Sequence, residues 1–489
     1  MIKTIKYIKT IESIWCIFVL AICFAEISIG IFQLLGLIRS NHSLFLSTGT
    51  FPNPGPYGGF LAICICVLYA YYIYGEVKWI KRFSALVIIP ASVIIIITQS
   101  RAALVAVFMC FLAFSCKKTQ YLQYIIKNKY FLVALSFILF LMLYLAKKPS
   151  ADGRIFINHI CMRAIYHNKF KGLGIGSFAG TYGKEQSLYF EEIMKTSNKE
   201  LDWTVINENE RMIADSPDKA FNDYLQIALE QGFVFMLAFM FANIYLIVIS
   251  YKNNYICCYG LIAFSFFAMF SYPVRITLLF SLYFSIITCI VLCHSLKKKR
   301  ILFVDSVCLI IITFLFAERI MLTIESKANQ LELNKIIRAY DAEDYIHVSD
   351  LCDSYMQKLG KDPNFLYMYG YSLRKINQIE KSDSVLSLGT NYSSNPMFWN
   401  VMGNNSLTQG RYREAEERYK HAFYMVPNRL YPLYLLAKLY YTEGDTVRFL
   451  QMAEMVEEFI PKVESVNTES LRTEIRELKE ELSYILIPN

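Results

Sequence analysis

The chain has 489 residues, 55% of them hydrophobic and 18% charged, with a mean hydropathy of +0.34. A soluble protein of this size carries roughly a quarter charged residues, so the composition excludes an ordinary soluble enzyme and points to a membrane protein with a soluble appendage. The net charge of +8 is no signature of nucleic-acid binding, because much of it falls in short loops between apolar runs, where it acts as an orientation signal.

Lys3, Lys6 and Lys9 precede a first apolar run at about 12–37, too long for a signal-peptide core and followed by no small-residue cleavage pattern. Further spans are predicted near 57–75, 83–99, 101–116, 130–146, 229–250, 255–271, 276–293 and 301–322, nine in all. As a single helix, residues 83–116 would run about 50 Å, well beyond the roughly 30 Å of hydrocarbon. Lys78, Lys81 and Arg82 flank one end of this run and Lys117 and Lys118 the other, so "TQSR" at 98–101 is predicted to turn on the far side. With the N-terminus in the cytoplasm, positive-inside counting puts the 147–228 loop and everything after about 322 outside.

The expected fold class is all-α. Transmembrane helices over 1–146 and 229–322 enclose a long outer loop at 147–228, and an α-solenoid of tetratricopeptide type follows at 327–489. Nothing favours a transporter, since the spans show neither scattered intramembrane acids nor paired-repeat hydropathy. Most of the 13 cysteines lie inside apolar runs and serve as small buried hydrophobes. Cys161 and Cys352 fall outside the runs with nothing to pair them, and there is no Cys/His spacing of a metal site.

Arg101 opens the first stretch of candidate chemistry. A guanidinium beside hydrocarbon needs a headgroup, an acid or an anionic ligand, and its planar fork suits phosphate oxygens. Arg275, in "SYPVR", is expected on the same face. The outer loop begins "ADGRIFINHICMRAIYHNKF", whose helical period carries Arg154 and Arg163 together with His159 and His167, either of which is a base near neutral pH or a structural residue. In "GLGIGSF", Gly172, Gly174 and Gly176 allow backbone amides to approach an anion, or simply make a flexible turn. "ADSPDKAFNDYLQIALEQG" closes the loop: Asp215-Ser216-Pro217 is predicted to start a helix. Asp218, Lys219, Asn222 and Asp223 form either interfacial charges or a cluster that orients an acceptor hydroxyl and takes its proton.

In the C-terminal third, "PMFWNVMGNNSLTQGRYREAEERYKHAFYMVP" (396–427) fits the tetratricopeptide template, with Trp399, Gly403, Ala415, Tyr419, Ala422 and Pro427 at its offsets. Leu433, Leu436, Ala437, Tyr440 and Pro461 repeat the register, and Gly370 takes the small slot of a degraded upstream copy. The concave face of such repeats is expected to bind a protein partner or acceptor, or the repeats act as a spacer or stabilising cap. The final "TESLRTEIRELKEEL" is a polar helix that caps the stack.

"TQSRAALVAVF", "GRIFIN…GLGIGSF" and "AFNDYLQIALEQGFVFM", taken in that order, resemble the O-antigen ligase-like superfamily over roughly residues 50–250. This superfamily comprises lipid A-core ligases, Wzy-type polymerases and O-linked protein oligosaccharyltransferases. The resemblance implies a multi-pass protein of the bacterial inner membrane. It further implies inverting, metal-independent and cofactor-independent transfer, on the periplasmic face, of a glycan from undecaprenyl pyrophosphate to a hydroxyl of a glycan, lipid A-core or protein acceptor. By this resemblance Arg101 and Arg154 bind the pyrophosphate, Gly172, Gly174 and Gly176 match the glycine-rich segment, and Asn222 matches the asparagine of a His-Asn pair. The histidine of that pair is replaced: Phe221 is adjacent and Lys219 lies two positions earlier, which leaves Asp218, Asp223, His159 or His167 as the base. Nine spans are fewer than ligases usually carry, as expected if an N-terminal portion is missing. A non-catalytic, membrane-anchored repeat scaffold is the alternative.

Overall fold

The computed structural model describes residues 2–117, 141–142, 144–145, 147–197, 201–299 and 302–486. Every regular element among them is a helix, and the chain divides into two compact units: 1–148 with 220–228 and 232–324, and 149–219 with 229–231 and 325–489.

The first unit contains α1 (Ile2–Leu34), α2 (Pro54–Tyr74), α3 (Lys78–Thr98), α4 (Arg101–Lys117), α9 (Phe233–Lys252), α10 (Cys257–Met269), α11 (Thr277–Lys298) and the first part of α12 (Phe303–Asp341). Six of these helices, α1, α2, α3, α9, α11 and α12, are long and apolar enough to cross a membrane. The expected span at 130–146 lies mostly outside the described residues. At 13 residues, α10 is shorter than a span yet almost wholly buried; at about 1.5 Å per residue it covers roughly 20 Å. The centre of the unit is α2. Asn53 caps it by accepting from the Gly55 amide, and Pro54 starts it, a position where a missing N–H costs nothing. Gly58 and Gly59 let its neighbours close in, since added Cβ atoms would meet Ser100 Cβ at 2.6 Å and Phe267 Cζ at 2.1 Å.

The break at 98–101 occurs as expected. Gln99 takes a left-handed conformation (φ 49°) and α4 begins at Arg101. Basic residues gather at one end of the unit: Lys117 Nζ donates to Tyr251 O at 2.9 Å and Lys297 Nζ to Asn253 Oδ1 at 2.6 Å.

Two expectations need correction. The helix expected from Asp215-Ser216-Pro217 begins instead at α8 (Asp223–Glu230), and Gly232 (φ 101°) separates α8 from α9. The helices also do hold buried acids: Glu12, Glu26 and Asp305 are at most 5% exposed. Glu12 accepts from the Ile256 amide and Lys9, Glu26 from Thr50, and Asp305 faces His294 at 3.0 Å. These carboxylates survive in apolar surroundings because each is hydrogen-bonded.

In the second unit, α5 (Lys148–His167), α6 (Phe178–Met194) and α7 (Glu208–Ile213) fold together with the C-terminal helices. These are α13 (Tyr345–Leu359), α14 (Pro363–Lys375), α15 (Ile379–Gly389), α16 (Met397–Thr408), α17 (Tyr412–Met425), α18 (Tyr431–Glu443), α19 (Thr446–Glu458) and α20 (Val466–Leu486). The starts of α14, α16 and α18 at Pro363, Met397 and Tyr431 keep a regular interval, that of a repeat of about 34 residues. Gly370 and Gly403 sit where paired helices cross, with added Cβ atoms 2.4 Å from Leu386 Cγ and 2.3 Å from Tyr419 Cε1.

The outer loop and the hairpins share one interior. Gly180 and Gly183 bring α6 against the backbone of Asn391 and Ser394, where added Cβ atoms would lie 2.2 Å and 2.8 Å from backbone atoms. Asn428 Nδ2 donates to the carbonyls of Arg211 and Ala214 at 2.8 Å and 2.7 Å, and Arg211 Nη1 donates to Ile460 O at 3.0 Å. The 180–214 segment thus packs on part of the hairpin surface.

Candidate functional site

In the first unit, the end opposite Lys117 draws together several motif residues. Ser100 Oγ donates to Gly55 O at 3.2 Å, which joins the α3–α4 turn to the start of α2. Asn53 Nδ2 donates to Tyr272 Oη at 2.7 Å, the Tyr272 ring meets Phe221 edge-on at 5.4 Å, and Asp223 Oδ2 accepts from the Val274 amide at 2.8 Å. Arg101, Phe221 with Asp223, and Arg275 therefore lie on three segments that converge with the start of α2 at one end of the unit. Arg101, partly exposed, donates to Lys147 O at 3.2 Å.

The expected acceptor-activating cluster is divided by this geometry. Asn222 caps α8, its Oδ1 accepting from the amides of Tyr224 and Leu225 at 3.1 Å and 3.2 Å. Asp223 is fully buried and holds the 273–275 turn, so it is a positioning group rather than a base that meets an acceptor. Phe221, adjacent to Asn222, has φ 53°, a conformation that costs a bulky residue on the order of 1–3 kcal/mol and tends to occur at functional sites.

The remaining candidates lie in the second unit. The glycine segment forms an open turn. Gly174 (φ 98°) and Gly176 (φ 83°) need the left-handed freedom of glycine, whereas Gly172 has no positive φ. The Leu173 and Gly174 amides are tied to the carbonyls of Leu229 and Glu230 at 3.0 Å and 2.9 Å, and Ser177 Oγ donates to Gly174 O at 2.6 Å. Immediately after the turn α6 begins, so its first N–H groups and positive dipole end sit beside it.

Near the turn, the buried Glu185 carboxylate meets two side chains from α5. Arg163 Nε donates to it at 3.2 Å and His167 Nδ1 lies 3.0 Å away. A second carboxylate, Glu192, meets Arg163 Nη2 at 2.9 Å. Burial pulls the Arg163 pKa down, but Glu192 and Glu185 outweigh it and hold the group firmly charged. Its fork is therefore engaged with carboxylates, which removes it from the expected pyrophosphate contacts. His159 is exposed, with its ring edge-on to Tyr189 at 5.4 Å. Asp218 is also exposed and pairs with Lys219 at 3.1 Å. Arg154 is partly buried on α5.

Sequence reasoning missed Glu185, the group that orients His167. The signal was weak: an acid in a helix that reads as ordinary amphipathic sequence. Asn53 and Tyr272 were missed as well, because their pairing spans residues far apart in the chain. Arg319 was overlooked inside the last span; the next turn of its helix reaches Thr277 through Thr323 Oγ1 at 2.7 Å, beside Arg275.

Residues 42–240 match the family model described as O-antigen ligase. That interval includes Arg101, Arg154, the glycine turn, His167 and Asn222, and ends before Arg275. No curated protein matches the chain.

Proposed function

We propose, on the match of residues 42–240 to the O-antigen ligase family model, that the protein transfers or polymerises a glycan held on undecaprenyl pyrophosphate onto an acceptor hydroxyl at the periplasmic face of the inner membrane. In this reading the acceptor oxygen attacks the anomeric carbon from the face opposite the diphosphate. The new C–O bond forms as the bond to the phosphate oxygen breaks, and that electron pair leaves on undecaprenyl pyrophosphate. Arginine serves the leaving diphosphate, the role that the resemblance gives Arg101 and Arg154, and its stabilisation supplies much of the barrier lowering.

His167 takes the acceptor proton. Its Nδ1 faces Glu185, so an N–H at Nδ1 directed at that carboxylate leaves the Nε2 lone pair for the proton, the nucleophile–base–orienter logic of many transferases. A positioned base contributes typically 10²–10⁴-fold. The acceptor is a glycan, a lipid A-core or a protein hydroxyl.

The observation that carries this reading is the family match across the arginine, glycine and asparagine motifs. It is tested in a deletion strain complemented with Arg101→Ala, Arg154→Ala or His167→Gln, with surface glycan followed by gel and insertion checked by membrane fractionation. Loss of glycan attachment is expected for each; normal glycan in all three removes the catalytic reading. One observation favours a non-catalytic scaffold instead: Phe221 stands where the histidine is absent and Asp223 is sealed in the interior. On that reading, His167→Gln leaves glycan unchanged while removal of residues 325–489 does not.

A further inference from the structure

Beside the glycine turn, the second unit holds a cleft of about 860 Å³, walled by α5 and α6 on one side and by the hairpin segments around Asn391 and Trp399 on the other. This size lies within the usual range for small-molecule sites of about 300–1,000 Å³. The chemistry of its walls is uneven in an informative way. The Trp399 and His421 rings form an aromatic wall with centroids 4.1 Å apart. His421 Nδ1 lies 3.2 Å from Ser187 Oγ, which fixes the ring, and burial first of all pushes its pKa down to about 4, so it is uncharged at neutral pH. Asn168, Thr181, Asn391 and Ser393 bring amide and hydroxyl groups, while Leu188 and Met425 add apolar surface.

The formal charges nearly cancel. Lys184 is the one lysine on the wall, and the Glu185 carboxylate is already met by Arg163 and His167. Such a lining is poor for a diphosphate, which calls for several cationic forks. It suits a pyranose, which presents an apolar face of C–H groups to an aromatic ring and a rim of hydroxyls to amides and alcohols.

We infer that this cleft is a saccharide subsite, formed jointly by the outer loop and the helical hairpins, which holds an uncharged stretch of the glycan being handled. The inference rests on the transfer reading for the identity of the glycan, and it gives the C-terminal hairpins a direct part in substrate binding.

The test uses full-length protein in detergent and, as probe, the oligosaccharide released by mild acid from the lipid-linked glycan of the same cells. Binding is measured by titration calorimetry, with inorganic pyrophosphate as competitor. Saturable binding is expected, weakened about ten-fold or more by Trp399→Ala, kept within about three-fold by Trp399→Phe, and insensitive to pyrophosphate. Asn391→Tyr fills the cleft from an exposed rim position without removing a packed side chain, and is expected to block binding while the melting temperature holds. Binding unchanged in Trp399→Ala and Asn391→Tyr, or competition by pyrophosphate, overturns the subsite. A wild-type protein that supports glycan attachment in cells but binds no released oligosaccharide sinks the subsite and leaves the transfer reading standing. A deletion strain with unchanged surface glycan sinks the transfer reading itself.

Discussion

Glu185 and His421 show how single groups in the second unit acquire their behaviour from what surrounds them. Glu185 is 4% exposed and accepts from two α5 side chains; Glu185→Gln leaves Arg163 with only Glu192 and His167 without its orienter. The expected cost is about 1–3 kcal/mol of stability, read as a lower denaturation midpoint, together with a fall in transfer that His167→Gln does not deepen further. His421 titrates lower in the folded chain than in the unfolded one, because burial disfavours its charged form and the nearby Lys184 adds to that, against a smaller opposing pull from Glu191. A group with a depressed folded pKa and a cationic acid form contributes stability that is present above the unfolded value and lost as pH falls. The loss therefore runs from about 6.5 down to about 4, reaching at most about 2 kcal/mol at pH 5. Denaturation midpoints measured from pH 7 to pH 5 should fall, and the His421→Asn variant should show a flatter profile. A third test at this scale is Gly174→Ala: φ 98° is strained for any side chain, at about 1–2 kcal/mol, and transfer should drop while the helical content holds.

At the scale of elements, close approach is decided by glycines. Gly183 on α6 and Gly403 on α16 each face a neighbour that an added Cβ would strike at 2.8 Å and 2.3 Å. Gly183→Val and Gly403→Val should each destabilise the second unit by about 1–3 kcal/mol, seen as earlier unfolding by intrinsic fluorescence and faster proteolysis within 149–219. The two sites differ in legibility. Gly403 falls at a repeat position and could be read from spacing, whereas Gly183 belongs to an irregular loop helix whose partner is more than two hundred residues away. The same distance misled the reading of Asp215-Ser216-Pro217. As a local sequence it is a good helix start, but Asp215 accepts from Lys462 Nζ at 3.0 Å and the Pro217 carbonyl accepts from Ser394 Oγ at 3.0 Å. Burial tends to raise the Asp215 pKa, and the Ser216 amide, Lys462 and Arg429 outweigh it and pull it below the usual carboxylate range. Tertiary partners thus take the segment out of helix, and the cap passes to Asn222.

For the whole molecule, the outer loop and the hairpins share an interior, and this has a consequence for truncation. Ending the chain at residue 324 removes the Asn391 and Ser394 backbone against which Gly180 and Gly183 of α6 pack, together with the His421 ring that meets Ser187. The loop should then lose protease resistance and glycan attachment should stop, even though the motifs of residues 42–240 are intact; continued attachment by the truncated chain would contradict a shared interior. On the orientation expected from the lysines and arginines of the short loops, a reporter fused at residue 400 should report a location outside the cytoplasm, and a cytoplasmic signal would overturn that orientation.

Composition and hydropathy alone settled that this is a helical, multi-pass membrane chain, since a run of some 20 apolar residues has few other stable solutions. The motif order around Arg101, the glycine turn and Asn222 was also local enough to read, and so was the repeat register near Trp399. The tertiary structure decided which members of those motifs are exposed and which are used up. It capped a helix with Asn222, buried Asp223, spent Arg163 on two carboxylates and gave His167 an acidic partner from another helix. Those assignments depend on hydrogen bonds and ion pairs between segments distant in sequence, and no periodicity within one segment encodes which distant group will fill a given donor or acceptor.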